Sequence, residues 1–369
     1  MKFIVFLILL STLSFSCMKI TTPGTYDLID KEPSQLTYIG PIKFTSTSAC
    51  IEINSTDVVL DCKNQIIKSK TDYGVVILKS KNVILKNCKF EGFPAGVLVG
   101  DSENVYLDNI EVNNSEYGVF IQKTNNSEVR GIKINSRQNG LTIDSESSNN
   151  KIFDSFSYGG KTGFLINGNF TQIKNSEATE NDFGFIFRGN NVLIDGIKTY
   201  SSKQFGLQFE SVENGTLLNS RVENVTGIGI TVEDSKVNFQ NIEAIKNSRG
   251  GIYVFNSSVN LNHIQTIENR YYGLIFIGSK QTMQDIQSCK TNIFDPNTEH
   301  SERSADILFF NETSTTKELL TCDFSYPEGL CNNPCPKEYI PQEKKPIENP
   351  SCCGIPLLLT LLVVKIKKK

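Results

Sequence analysis

The sequence predicts an all-β fold, a parallel solenoid completing one turn per repeat, and three observations carry that prediction. A glycine followed by an apolar–any–apolar triplet recurs at Gly74, Gly96, Gly118, Gly140, Gly163, Gly184, Gly206, Gly229, Gly251 and Gly273, at spacings of 21 to 23 residues. A second motif rides on the same period, as Val83-Ile-Leu-Lys-Asn87, Val105-Tyr-Leu-Asp-Asn109 and Val237-Asn-Phe-Gln-Asn241. Between turn residues the apolar positions alternate with period two, and no stretch of useful length has a helical period. A unit of about 22 residues cannot bury an apolar face alone, so units must stack. Each strand then pairs with its equivalent one rung away, about 4.8 Å along the axis.

Taken in order, Lys2, the apolar run Phe3 to Leu10 and the small residues around Ser14 and Ser16 read as a secretory signal peptide over residues 1–17. The run is too short to span hydrocarbon, and the residues before Cys17 fit an acylated lipoprotein leader poorly. Residues 18–49 are expected to cap one end of the solenoid, which would otherwise expose a strand edge. The β-helix is expected over 50–312, with Val58-Val-Leu-Asp-Cys62 in an early rung and Ala305-Asp-Ile-Leu-Phe-Phe310 in a late one after an insertion. Residues 313–351 form a Cys- and Pro-rich cap and extended spacer. In the tail, 352–369, an apolar run from Gly354 to Val364 precedes terminal lysines. As helix that run reaches only about 16 Å, against roughly 30 Å of hydrocarbon. It is either a marginal membrane anchor or a processed sorting signal, similar to the C-terminal sorting signals of microbial surface proteins.

Composition narrows the function classes. Lys+Arg number 37 and Asp+Glu 40, so no basic excess exists to neutralise phosphates, and nucleic acid is not an expected partner. Two histidines and three methionines leave little for a copper or haem site, and no metal or other cofactor is expected. Ten cysteines, grouped toward the two ends, fit local disulfides in an oxidising compartment. Sequons at Asn54, Asn113, Asn125, Asn169, Asn214, Asn224, Asn256 and Asn311 agree with export and are candidate glycosylation sites.

Parity assigns the side chains. In Gly-h-x-h the two h positions point inward and x outward. Asn87, Asn109, Asn175, Asn219 and Asn241 are expected to stack as a ladder at a turn, because Asn tolerates tight turns and its amide can bond to the rung above. His263 and Asp285 continue that register, which gives His263 a structural role. The outward x stripe reads Val76, Leu98, Phe120, Thr142, Leu165, Ile186, Gln208, Thr231, Tyr253, Ile275. An apolar outward line suggests either a covering segment or a contact surface, and Phe120 and Tyr253 are its candidates for stacking on sugar rings. The aromatics before the glycines, Tyr73, Tyr117, Phe183, Phe205 and Tyr272, are assigned inward parity. Asp154 and Asp195, in or beside the ladder slot, are the acidic ligand-contact candidates.

These repeats resemble the right-handed, single-stranded parallel β-helix of the pectate lyase-like superfamily, in particular its carbohydrate-binding and sugar-hydrolase type of repeat, also found in NosD-like periplasmic proteins. The resemblance covers about Cys50 to Asp285 and implies about 11 rungs. Its enzymatic branches are not matched: the Asn-Thr-Asp, Asp-Asp and Gly-His-Gly motifs of polygalacturonases are missing. The only Asp-Pro, Asp295-Pro296, is followed by Asn297 rather than the His-Asp of alginate epimerases. The x stripe holds no acid–base pair of the kind general acid–base chemistry needs. No catalytic residue is therefore named. The expected function is an exported protein, at the cell surface or extracellular and anchored if the tail is kept, that binds a polysaccharide or another envelope component. The alternatives are a polysaccharide lyase or hydrolase with an unfamiliar acidic site, and a structural envelope rod.

Overall fold

The computed structural model describes residues 18–27, 49–68, 71–290, 305–310 and 314–336. The expected leader, residues 28–48 of the expected cap, residues 337–351 of the spacer, the C-terminal tail and Asn311 lie outside the described residues. All described residues but Pro336 belong to one compact unit, Met1–Cys335.

Every regular element among the described residues is a β-strand. Fourteen of them, from Met18–Ile20 to Ser325–Tyr326, stack in chain order into one parallel sheet, here sheet I. The others form sheet II, which turns a corner in the middle of each rung. Lys81–Glu91 and Glu103–Ser115 run through that corner, whereas Glu128–Arg130 and Lys133–Ser136 are separate pieces of one rung. Register is strict: Val75, Val76 and Ile77 face Val97, Leu98 and Val99. This is the parallel β-helix of period about 22 residues that the sequence predicts.

Inward residues from both sheets fill the coil as one cluster, including Val75, Leu85, Phe90, Phe164, Phe185 and Ile230. Stacking places like on like. The Phe164 and Phe185 rings lie 4.5 Å apart and the Phe187 and Phe209 rings 4.9 Å. Each buried side chain of this size contributes roughly 1.5–3 kcal/mol relative to exposure, so a dozen rungs supply the stability that no single rung has.

The corners are bonded as regularly as the strands. At the sheet II corner, Asn109 Nδ2 donates to Asn87 Oδ1 (2.8 Å) and Asn241 Nδ2 to Asn219 Oδ1 (2.9 Å). Asn87, Asn109, Asn175, Asn219, Asn241, His263 and Asp285 all take φ between 48° and 57°, the left-handed region that Asn visits more readily than most residues. At a second corner Ser235, Ser257 and Ser279 form a buried hydroxyl ladder. Asn247 and Asn269 do the same at the third with their amides. The Ser ladder and the Asn247–Asn269 pair accept buried backbone amides that would otherwise be unpaired.

The glycine column faces the interior. A Cβ on Gly74 would sit 2.6 Å from Gly96 O and 2.6 Å from Phe90 Cδ1. Glycine is required by close approach here, not by φ. Because Gly74 and Val75 both point inward, the strict alternation breaks between them, and the residue before the glycine turns outward. The inward assignment of Tyr73, Tyr117, Phe183, Phe205 and Tyr272 is thereby corrected: none joins the interior cluster, and Tyr117 is 41% exposed.

The coil also exceeds its expected limits. Met18–Ile20 pairs in register with Ile51–Ile53 and Gly24–Asp27 with Val58–Asp61, so residues 18–27 form a rung. At the other end Ser314–Thr321 pairs with Lys280–Cys289 strand residues. Among the described residues three disulfides staple the ends: Cys62–Cys88, Cys289–Cys335 and Cys322–Cys331.

Candidate functional site

The outward face of sheet I carries three columns per rung: the residue before the glycine, the x residue, and the residue two beyond x. Along x the line runs in register from Lys19 and Glu52, themselves an ion pair (2.9 Å), through Val76, Leu98 and Phe120 to Tyr253, Ile275 and Leu308. Although outward, Val76, Leu98 and Ile186 are 5–7% exposed. Near the C-terminal end this face has a cluster of its own, separate from the interior: Ile275, Ala305 and Leu308, flanked by Tyr253, Tyr272 and Ile277. A Cβ at Gly250 would fall 2.2 Å from Tyr272 Cε2, so the missing side chain at Gly250 is what lets the Tyr272 ring lie across its rung.

The third column is charged over three rungs. Arg188 Nε donates to Glu210 Oε2 (2.7 Å), and Glu210 stands in register with Glu233. Burial, then Glu210, then Asp234, push the Glu233 carboxyl above its ordinary range. Glu233 in turn adds to the burial that raises the Tyr253 phenol, and Tyr253 to the burial that raises Tyr272, against the opposing Arg249.

Along the opposite edge, where each rung enters sheet I, exposed cations recur: Arg137, Lys161, Lys203, Arg249 and Arg270. Lys203 Nζ contacts Asp182 Oδ1 (2.8 Å), and the Arg270 guanidinium lies 5.4 Å from the Tyr271 ring centre. No ion pair involves Arg137, Lys161, Arg249 or Arg270 among the described residues. Arg137, Lys161 and Lys203 border a shallow depression of about 550 Å³ that also includes Asn135, Gln138 and Asp182. The edge presents positive charge to solvent, and the half-exposed rings of Phe183, Phe205 and Tyr272 beside it offer faces for stacking. Phe183 and Phe205 are 5.7 Å apart.

The four ligand-contact candidates divide between two places. Phe120 and Tyr253 lie on this face, six rungs apart along the x column. Asp154 and Asp195 lie at the sheet II corner, where Asp154 contacts Arg130 Nη1 (3.3 Å) and Asp195 accepts from Asn219 Nδ2 (2.8 Å). There they act as rungs of the turn ladder. His263 occupies its ladder slot with Nε2 3.2 Å from Asp285 Oδ2. Beside them a second depression, of about 340 Å³, is lined by amides and hydroxyls such as Asn238, Gln240, Asn260 and Thr282. Asp306, Asp323 and Cys335 converge near the C-terminal end. Cys335 is in a disulfide there, Asp306 Oδ2 accepts the amides of Asp323 and Phe324, and Asp323 Oδ1 accepts that of Cys335. That cluster ties down the last rung.

Of the sequons, Asn54, Asn214, Asn224 and Asn256 are exposed, and Asn113, Asn125 and Asn169 are half-buried. The Asn125 and Asn169 side chains accept backbone amides one rung on, from Ser148 and Asn190. Sequence reasoning passed over the basic edge and the Glu210–Glu233 pair. The cations stand two or three residues before their glycines and the glutamates four after, and those offsets were the available signal.

The family described as "Right handed beta helix region" matches residues 49–186 and 153–270. Among solved structures, the chain is similar to the A-modules of two Azotobacter vinelandii mannuronan C-5 epimerases. For AlgE4 the TM-score is 0.54 at 12% identity, covering 82% of this chain and 91% of that one. For AlgE6 it is 0.50 at 14% identity, covering 82% and 92%. At this identity the likeness is one of fold. No curated protein matches the chain by sequence.

Proposed function

The chain belongs to the right-handed β-helix family, and from that premise we propose that it is an exported surface protein that binds an acidic polysaccharide across the outward face of sheet I. The observation that carries this reading is the row Arg137, Lys161, Lys203, Arg249 and Arg270 alongside the outward aromatics Phe183, Phe205 and Tyr272. Cations at rung intervals can meet carboxylates repeated along a polymer, and rings beside them can stack on sugar faces. The fold likeness to modules named for mannuronan epimerisation is consistent with such a ligand. Three disulfides support an oxidising destination. Retention at the envelope would fall to the tail, whose run ends in lysines.

Binding of the purified chain to a polyuronide, a sulfated glycan and a neutral glucan tests the reading. The acidic polymers should bind, binding should weaken with salt, and joint substitution of Lys161 and Arg249 by Ala should reduce it at least tenfold. Equal binding of the neutral glucan, or indifference to both substitutions, would overturn it.

A second reading, a lyase or hydrolase, is favoured by one observation: two carboxylates in register, one of them held toward its protonated form. Release of unsaturated or reducing ends from the bound polymer, abolished by Glu233→Gln with binding kept, would establish it. No release from any acidic polymer would leave the binding function alone.

A further inference from the structure

We propose that the corner where rungs pass from sheet I to sheet II holds a second glycan site, anchored by Phe170 and specific for sugars that carry an acetamido group. Equivalent positions along that corner are Asn104, Asn126, Asn149, Phe170, Asn191 and Asn214. The equivalence is set by the backbone: Asn104 N donates to Asn125 O, Asn126 N to Ser148 O, Asn149 N to Asn169 O, Phe170 N to Asn190 O and Asn191 N to Glu213 O. All six residues have φ between 53° and 61°. That left-handed region suits Asn and is strained for an aromatic residue. Burial does not offset the strain, because Phe170 is 56% exposed. A strained residue held where the neighbouring rungs carry Asn points to a role other than stability.

Phe170 also breaks a hydrogen-bond series. Asn149 Nδ2 donates to Asn126 Oδ1 (2.5 Å) and Asn214 Nδ2 to Asn191 Oδ1 (2.8 Å). Among the described residues no side chain donates to Asn149 Oδ1 and none accepts from Asn191 Nδ2. With rungs about 4.8 Å apart, the interval between those two atoms is that of one missing amide. An acetamido group supplies both halves, its N–H for Asn149 Oδ1 and its C=O for Asn191 Nδ2. The Phe170 ring beside the gap offers an apolar face to the acetyl methyl and the sugar ring. The neighbouring column, Asn125, Ser148, Asn169 and Asn190, is uncharged between Glu103 and Glu213, so the fit is to a neutral sugar. An extended peptide also carries amides, but the backbone here is already paired rung to rung and leaves it no strand edge. The acetamido group could belong to a free glycan or to a sugar attached at Asn169, in the sequon Asn169-Phe170-Thr171. The site is independent of the basic edge, whose ligand is an acidic polymer, so the two readings fail separately.

The full chain, secreted by a host without N-glycosylation, would be titrated with an N-acetylglucosamine oligomer and with a glucose oligomer of equal length. The acetylated oligomer should bind at least tenfold more tightly. Phe170→Ala should weaken its binding at least tenfold. Phe170→Asn should abolish that binding and raise the thermal midpoint, because the new amide closes the ladder and tolerates the backbone. The rise in midpoint shows that lost binding is not lost folding. The same titration on chain from a glycosylating host separates the two sources: binding retained there assigns the gap to a free glycan. Binding lost there, with a sugar mass on the Asn169 peptide, assigns it to the chain's own glycan. Equal binding of the two oligomers, binding by neither, binding unchanged in Phe170→Asn, or a thermal midpoint that falls in that variant would each overturn the proposal.

Discussion

Glu233 stands in register with Glu210 on the adjacent rung, but the two carboxylates are not equivalent: Arg188 Nε is 2.7 Å from Glu210, while Glu233 is held above its ordinary range by burial, Glu210 and Asp234. A raised carboxyl favours the protonated form in the folded state. Its contribution to stability is therefore present below the ordinary carboxylate range and is lost as pH rises through the folded value. Glu233→Gln should match the parent in stability at acid pH and exceed it at neutral pH. The gain should be under about 1 kcal/mol, because the side chain is half-exposed and screened. Chemical denaturation at both pH values checks this; an equal difference at both would show that the charge is not its source.

Two glycines separate close approach from backbone conformation. At Gly118 a Cβ would lie 2.3 Å from Gly140 O and 2.5 Å from Ile134 Cγ2. At Gly92 φ is 78° and nothing lies within 4 Å. Gly118→Ala should cost about 1–3 kcal/mol through overpacking and a forced rung shift. Gly92→Ala should cost about 1 kcal/mol through φ alone, and Gly92→Asn should recover part of it. Thermal midpoints of the three variants distinguish the two mechanisms.

The same geometry explains what the sequence made legible. The glycine period stands out because any Cβ at those sites meets the next rung's carbonyl, so the fold writes its pitch into one residue type. The Asn ladder is legible for a similar reason, since Asn both accepts positive φ and bonds its own neighbour. Alternation alone misplaced Tyr73, Phe183 and Tyr272, because the Gly–h bend places two consecutive residues inside. The basic edge stayed hidden because its members, from Arg137 to Arg270, drift between two offsets from the glycine and are brought into a row only by coiling.

The ladder should be locally costly to break. Asn109 has φ 52°, donates to Asn87 Oδ1 at 2.8 Å and is exposed. Asn109→Ala removes that bond and keeps the left-handed backbone, for a loss of about 1–2 kcal/mol. Asn109→Gly keeps the bond lost but relieves the backbone, and should lie between Ala and the parent. Urea denaturation midpoints would show the order; Gly falling below Ala would mean the backbone term is not the larger one.

Acid should act first near the N-terminal rungs. Burial opposes ionisation of Asp61, but its carboxylate accepts from Asn87 Nδ2 (3.0 Å), Lys63 N (2.9 Å) and Lys63 Nζ (3.1 Å), which together lower its pKa to about 2. A lowered carboxyl stabilises the fold above its unfolded value and loses that contribution as pH falls from the ordinary range toward 2. Asp61 also anchors the start of the Asn ladder, so its protonation weakens the acceptor on which Asn87 and then Asn109 are aligned. Asp61→Asn should lower stability at pH 7 and flatten the acid limb of the pH–stability curve, with the parent and variant curves converging near pH 2. Parallel curves down to that pH would mean that the Asp61 charge contributes nothing and that its hydrogen bonds hold equally well in the neutral form.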